Sequence, residues 1–541
     1  MTRTRYLLAG IGLILIGGVV GQWAHEPQRT PAQSNALQTL RSAYETIRTS
    51  YVEPLPPDSL VRSSIGGMTQ SLDPFSVYIS ADRMKRVEES FRGSFEGIGI
   101  SYELIDGPQA RDTVAVVSVV EDGPSSKAGL RSGDRIIEVN DTSAVGWPHE
   151  KIQRRLKGPQ GSQVDVTLRR PGADGPIQAT ITRDTVPLET VAATYMIEET
   201  TGYVRLQRFA QTTHREVTDA LDALEAKGME RLILDLRGNA GGLMSMAEKV
   251  ADEFLVDDQL IVEARSRHDG YGGARYATNA GRFEQKPLIV LVDEHSASAS
   301  EIVAGALQDH DRALIMGRRT FGKGLIQRQF GLGDGSTLRL TVARFYTPSG
   351  RLLQRPRGKE RDSLTAMIRD PSQVPDSLLY RTDAGRPVIG GGGIHPDRVV
   401  AAPTRSPYWE AVTAENILRP FARGWIDART DSLRRRWADR PEAFARTFAL
   451  PDGTYDAFVR FAAARGVSVS DSTGDAAPTI DEAAVATARP AVETTITAYV
   501  GQRLFGEDMR LRIENQVDPV VEQALTSWPT ARAWAERYPI K

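Results

Sequence analysis

The spacing of apolar residues changes character along the chain, and each change predicts a different kind of element. Behind Arg3 and Arg5 runs an apolar stretch from Tyr6 to Gly21. It is shorter than the roughly 20 apolar residues of a spanning helix unless Gln22, Trp23 and Ala24 form an interfacial end. Residues 1–26 therefore read as an export signal, either cleaved or kept as an anchor through residues 6–24. From Leu37, apolar residues recur at helical spacing through Leu40, Ala43, Tyr44 and Ile47. A second helix is predicted after Pro56-Pro57-Asp58, with Asp58 as cap and Leu60, Val61, Ile65 and Met68 as its stripe, so residues 34–90 form an N-terminal helical region. Between 95 and 185 the period becomes two, with strands expected at 114–120, 135–139 and 164–169 between Gly-Pro and Asn-Asp turns. From 187 to 400 apolar strand runs at 203–208, 232–236, 288–292, 313–316 and 337–343 alternate with helical stretches, which predicts an α/β domain. Residues 405–541 read as helical, interrupted by a flexible linker over 466–490.

Composition narrows the chemistry. A chain of 541 residues needs several cores. Its 67 basic and 69 acidic side chains give a net charge of −2, which disfavours a nucleic-acid partner. With no cysteine there is no disulfide, no thiolate metal site and no cysteine nucleophile. The seven histidines are scattered; His295 and His310 stand nearest the motifs below, and a surface or hydrogen-bonded role outweighs a ligand role for each. Neither a metal nor a cofactor is expected.

Gly97-Ile98-Gly99-Ile100 is a glycine-apolar repeat ahead of a strand. Such a loop turns successive backbone N–H groups toward one anion, for which a peptide's terminal carboxylate is a natural ligand, although a plain tight turn would look the same. The stretch from Ser125 to Asn140, with Lys127-Ala128-Gly129-Leu130 and Gly133-Asp134-Arg135-Ile136-Ile137, resembles the signature of bacterial PDZ domains. In that fold a C-terminal tail adds a strand beside the carboxylate loop.

Three further segments bear on catalysis. Glu294-His295-Ser296-Ala297-Ser298-Ala299-Ser300-Glu301 follows an apolar strand and precedes a helix. A serine there sits beside free helix N-terminal N–H groups, as an acyl-transfer nucleophile requires, but the same residues also compose a capping box. Arg319-Thr320-Phe321-Gly322-Lys323-Gly324 sets a lysine between glycines, and a buried lysine there would accept a proton near neutral pH. Gly317 to Lys323 also has phosphate-loop spacing, but Gly324 stands where a metal-liganding Ser or Thr is required. Leu234-Asp235-Leu236-Arg237-Gly238-Asn239-Ala240-Gly241-Gly242 runs a strand into a glycine turn that serves either as an oxyanion donor or as tight packing.

Together these segments resemble the carboxy-terminal processing peptidases, over roughly residues 40 to 400. Ser71-Leu72-Asp73-Pro74-Phe75-Ser76-Val77-Tyr78, Tyr346-Thr347-Pro348-Ser349-Gly350-Arg351 and Gly392-Gly393-Ile394-His395-Pro396-Asp397 add to the likeness. The resemblance implies an α/β fold: a core like the crotonase and Clp-protease folds, a β-rich PDZ domain (95–185) inserted in or preceding it, a protease core (187–400), and helical regions at both ends. It implies Ser298 as nucleophile, Lys323 as general base, Gln327 one helical turn beyond as the residue that orients the lysine, and the N–H groups of Gly242 and Ala299 as oxyanion donors. The one departure is Ala240, where many relatives have glycine. The implied activity is a PDZ-guided serine endopeptidase, periplasmic or facing outward from the inner membrane, that acts on proteins with free C-terminal tails; a homo-oligomer is left open. The alternative is a silent PDZ adaptor or holdase that binds tails without cutting them.

Overall fold

The computed structural model describes residues 31–105, 113–278, 280–356, 374–469 and 480–538. The proposed export segment lies outside them, and among the described residues no helix is long and apolar enough to cross a membrane. The chain divides into two compact units.

The first unit contains residues up to Ile79 together with Gln329–Leu340. It holds α1 (Pro31–Ser50), α2 (Pro57–Gln70) and β1 (Val77–Ile79), and β1 pairs antiparallel with residues 337–339. The expected cap of the second helix is corrected: Pro56 is the N-cap and Asp58 lies inside the first turn. Proline at the first helical position sacrifices only an N–H that has no intrahelical partner, so the helix begins at Pro57, before the expected cap. Asp73 shapes the turn into β1, its Oδ1 accepting from the N–H groups of Phe75 and Ser76, each at 2.9 Å.

The second unit opens with α3 (Ala81–Arg92) and a β-rich module. β2 (Ser94–Gly97) pairs with β9 (Asp184–Pro187), which brings the two ends of the module together. The flanks meet each other, Leu188 N–H donating to the Gly93 carbonyl at 2.9 Å, and the preceding helix is tied to the segment after the strand Thr201–Leu206, Gln211 N–H donating to the Phe91 carbonyl at 2.8 Å. The module thus starts and ends at one place in the fold. Its antiparallel sheet runs in the order β3 (Ile100–Ile105), β4 (Thr113–Val119), β5 (Arg135–Val139), β7 (Gln163–Arg169), β8 (Pro176–Thr182), with the short β6 (Thr142–Ser143) on β5. α4 (Pro124–Lys127) and α5 (His149–Leu156) complete it, and Val114, Ile136, Val166, Leu168 and Ile152 fill its core.

The main core is a six-stranded sheet. β10 (Val191–Glu198) is antiparallel to β11 (Thr201–Leu206), and β12 (Arg231–Asp235), β15 (Leu288–Val292), β16 (Leu314–Gly317) and β21 (Arg398–Val399) continue it in parallel. Its central strands read as unbroken apolar runs because both faces are covered. Leu232, Leu234, Leu288 and Val290 face one cluster, shared with α6 (Thr213–Glu225), α7 (Met244–Asp252) and α8 (Ala299–Asp309). The alternate residues Ile233, Ile289 and Leu291 face a second cluster. The remaining strands are β13 (Leu260–Arg265), β14 (Gly273–Tyr276), β17 (Leu325–Gly331), β18 (Thr337–Tyr346), β19 (Leu379–Arg381) and β20 (Pro387–Ile389).

The C-terminal region does two separate things. Helices α9 (Pro407–Ala414), α10 (Leu418–Asp427), α11 (Thr430–Trp437), α12 (Pro441–Thr447), α13 (Thr454–Ala463) and α14 (Glu482–Phe505) enclose an aromatic core of Tyr408, Phe421, Trp425, Trp437, Phe444 and Phe458. The linker expected over 466–490 is too long, because α14 already runs from Glu482 and carries Pro490 inside it. The bundle docks on the β-rich module: Asp427 accepts from Arg135 and from Arg503, and Arg423 donates to Glu103 of β3 at 2.7 Å. Helices α15 (Glu507–Glu514), α16 (Pro519–Thr526) and α17 (Trp528–Arg537) instead cover the second face of the main sheet with Leu511, Val520, Val521, Ala524 and Trp528.

His310 closes the C-terminal end of α8, its Nε2 2.7 Å from the Leu260 carbonyl and its Nδ1 2.7 Å from Asp383. Both partners can only accept, so both ring nitrogens donate and the ring is cationic, which suits a helix C-terminus. Burial lowers the His310 pKa, but the Asp383 and Leu260 hydrogen bonds outweigh it and the pKa is raised.

Two outcomes follow from this packing. Trp528→Ala removes a side chain buried on the second face of the sheet and should cost about 3–5 kcal/mol in urea unfolding, whereas Val517→Ala, at an exposed site, should cost less than about 0.5 kcal/mol. The stabilisation from His310 is complete below the unfolded-state histidine pKa of about 6.5 and is lost as pH rises through the higher folded value. In His310→Gln that fall in the urea midpoint with rising pH should be absent.

Candidate active site

Ser298 occupies the turn between β15 and α8 with φ 55° and ψ −110°. A non-glycine residue held there carries a backbone strain of about 1–3 kcal/mol, tolerated only where the surroundings over-determine it. The turn sorts the three serines. Ser296 and Ser300 are fully buried, and their hydroxyls donate at 2.8 Å to the carbonyls of Leu236 and Asn239. Ser298 lies between them and keeps solvent access.

What holds the turn is Glu301, which sequence reading places only in a helix cap. It has no solvent exposure. Its Oε2 accepts from the Ser298 N–H at 2.8 Å and the Lys323 N–H at 2.9 Å, while Oε1 accepts from the Thr320 hydroxyl at 2.6 Å and the Gly322 N–H at 2.7 Å. Burial pushes its carboxyl above the usual range, and these four donors oppose the shift. One carboxylate thus joins the serine turn to the lysine loop. The available signal was a glutamate three residues into a helix, with a threonine and two glycines at the second segment to complement it.

Lys323 is half-buried, and its Nζ donates to Gln327 Oε1 at 3.1 Å. The expectation that Gln327 lies one helical turn beyond is corrected: it sits on strand β17. Residues an even number apart in extended chain share a face, so the pairing survives the change of element. The same strand removes the phosphate-loop reading, because that loop opens a helix. The glycines flanking Lys323 are required by close packing. A Cβ on Gly322, at φ +86°, would lie 3.1 Å from Gly392, and one on Gly324 would lie 2.7 Å from the Gln354 nitrogen.

The glycine turn after β12 lies against Ser298. A Cβ on Gly241, at φ +96°, would fall 2.9 Å from the Ser298 Cβ and 3.0 Å from the Ala299 nitrogen. Gly242, at φ +150°, bridges to Phe209, whose carbonyl a Cβ would strike. Gly241, which precedes Gly242, is thus brought beside Ala299, and Ala299 opens α8, where N–H groups lack intrahelical partners. Ala240 has a negative φ and fits without strain. Asn239, fully buried, ties the turn down by donating to the Leu206 carbonyl and accepting from Gly241, both at 2.9 Å. Beneath it, burial would raise the Asp235 pKa, but Arg205 and Arg237 outweigh burial and hold this carboxyl well below the usual carboxylate range.

The remaining motifs are buttresses. Ser349 donates to Asp309 at the end of α8, through its N–H at 3.0 Å and its hydroxyl at 2.7 Å, and buried Arg351 pairs with the same carboxylate. Ile394 N–H donates to the Thr320 hydroxyl at 2.7 Å, and Asp397 accepts from Ile315 N–H at 2.9 Å. Among the described residues no group of three or more His, Asp or Glu side chains converges as a metal site would require.

The expected tail-binding loop is distant in sequence and built differently. Gly97 ends β2, the Ile98 side chain is buried in the module core, Gly99 has φ +74°, and Ile100 opens β3. β3 is the edge strand of its sheet, and the Tyr102 hydroxyl meets Nδ1 of His149, the first residue of α5, at 3.0 Å.

Comparison with known proteins gives three family matches: peptidase family S41 over residues 200–363, a PDZ domain over 88–169, and the activating protease CtpB N-terminal domain over 20–83. The chain is 38% identical over 314 residues to the carboxy-terminal processing protease CtpA of Bacillus subtilis, covering 58% of this chain and 65% of that one. It is 37% identical over 317 residues to the carboxy-terminal-processing protease of Bartonella bacilliformis, covering 58% and 71%. Among solved structures, the photosystem II D1 C-terminal processing protease shares 31% identity over 67% of this chain and 86% of that one, with a TM-score of 0.34. A peptide-bound PDZ domain of a Vibrio cholerae carboxy-terminal protease shares 32% identity over 18% and 99%, with a TM-score of 0.16. With its S41 and PDZ matches and 71% coverage of the Bartonella relative, the chain belongs to the carboxy-terminal processing proteases of peptidase family S41.

Proposed function

We propose that this chain is a serine endopeptidase that captures the C-terminal tail of a protein substrate in its PDZ domain and cuts it with a Ser298–Lys323 dyad. The observation that carries the reading is the sorting of the serines: of the three in the turn, Ser298 keeps solvent access, and its backbone N–H shares Glu301 Oε2 with that of Lys323. An adaptor that only binds tails has no use for that arrangement.

In this mechanism neutral Lys323 takes the Ser298 proton as the hydroxyl oxygen attacks the scissile carbonyl. Gln327 holds the amine on its strand-side face, and the Gly242 and Ala299 N–H groups receive the oxyanion. Lys323 then returns the proton to the leaving amine, and water resolves the acyl-enzyme by the same route. The substrate's tail pairs with the open edge of β3, its carboxylate on the backbone of Gly97 to Ile100, opposite α5. The parallel sheet that delivers Ser298 at a strand-turn-helix junction supports a core of the crotonase and Clp-protease type. The basic-then-apolar stretch at residues 3–24 supports an exported enzyme, periplasmic or held at the inner membrane.

The experiment is cleavage of an unstructured protein ending in apolar residues, beside the same protein with a charged C-terminal extension. Wild type should cut the first faster. Ser298→Ala and Lys323→Ala should each lose about 10⁴-fold or more in kcat, and Gln327→Ala about 100-fold. Undiminished cutting by Ser298→Ala would refute the dyad. Glu301→Gln places an amide against four donors, so it should lose activity and about 1–3 kcal/mol of stability in urea titration.

A further inference from the structure

The C-terminal helices reach the loop that carries Gly241 and Gly242. α16 is capped by Asp518, and the two oxygens of this carboxylate have separate partners. Oδ1 accepts from the N–H groups of Val520 at 2.8 Å and Val521 at 3.3 Å, while Oδ2 accepts from Nη1 of Arg237 at 2.6 Å. Arg237 stands at the head of the glycine loop, two residues past the end of β12. Its Nε lies 3.0 Å from both oxygens of Asp235 and its Nη2 lies 2.6 Å from Oδ2. Its neighbour Gly238 donates to Asp293 at 2.9 Å, and Asp293 also accepts from the N–H groups of His295 and Ser296 in the nucleophile turn.

Charge favours the second contact. Arg205 and Arg237 both pair with the fully buried Asp235, so two cations share one anion, and Asp518 supplies another negative charge at Arg237. Geometry makes it effective. A guanidinium is a rigid planar fork, so gripping it from the strand side and from the helix side fixes the side chain and with it the point from which the loop departs.

We propose that Asp518 is a positioning residue for the proteolytic reaction: by holding Arg237 it sets the Gly238 to Gly242 loop against Ser298. Residues 506–538, well beyond the stretch matched as peptidase family S41, are then part of the active-site scaffold. This rests on the reading of Gly242 as an oxyanion donor. Such donors act only within a narrow distance of the developing charge, so a loosened loop lowers kcat and leaves substrate binding alone.

Asp518→Asn is the discriminating variant in the full chain, because asparagine caps a helix as well as aspartate does while the charge on Arg237 is lost. The expected result is a kcat lower by about 10- to 100-fold with KM and melting temperature unchanged, and faster hydrogen exchange confined to the amides of 238–243. Asp518→Glu should recover part of the kcat, and Glu522→Gln, on the exposed side of the same helix, should match wild type in every readout. Wild-type kcat and exchange in Asp518→Asn would overturn the proposal. So would faster exchange throughout the chain with a lower melting temperature, which marks a merely structural role. If wild type itself fails to cleave while Asp518→Asn still loosens 238–243 alone, the positional role stands and the protease reading fails.

Discussion

The site depends on one buried carboxylate. In the proposed mechanism Glu301 makes and breaks no bond, yet its two oxygens hold the backbone of Ser298, Gly322 and Lys323 and the hydroxyl of Thr320 in one cluster. The Ser298 turn and the Lys323 loop come from segments about 20 residues apart, and both carry glycine or strained dihedrals that would relax without an external tie. A carboxylate suits the task because it accepts only, and every group it faces here donates. Its burial is tolerable for the same reason: four hydrogen bonds offset much of the desolvation.

The second constraint is the central sheet. A parallel sheet needs cover on both faces, and this one draws its second cover from the end of the chain. That requirement explains why α15, α16 and α17 pack on the protease core while α9 to α14 form a bundle with its own aromatic interior. Because α14 runs almost directly into α15, the bundle that docks on the PDZ domain through Asp427 and Arg423 is continuous with the helices under the catalytic sheet. PDZ domain, helical bundle and core are thus joined by packing as well as by chain connection.

Much of this was legible in the residues. The apolar runs at 288–292 and 135–139 coincide with β15 and β5, because a run buried on both sides or alternating on one leaves few other readings. Gly241 and Gly322 announced close approaches, and the structure shows what approaches them. Other features were hidden because they are contacts between distant segments. Nothing in the local pattern around Glu301 shows that its second oxygen serves Thr320 and Gly322. Gln327 was placed on a helix because a spacing of four fits a helical turn and a strand face alike. Asp58 reads as a cap because aspartate favours that position, but Pro57 opens the helix and leaves Asp58 inside its first turn. The double role of residues 405–541 depends on a sheet face whose lack of cover only the folded chain reveals.

The measurement that tests the account most directly is to treat the protein with a serine-directed phosphonate, with and without an apolar tail peptide, and to locate the adduct by mass spectrometry. The account predicts modification at Ser298, none at Ser296 or Ser300, a rate that falls when Lys323 is replaced by alanine, and a gain when the tail peptide is present. Labelling at a different serine, or none under any condition, would contradict it.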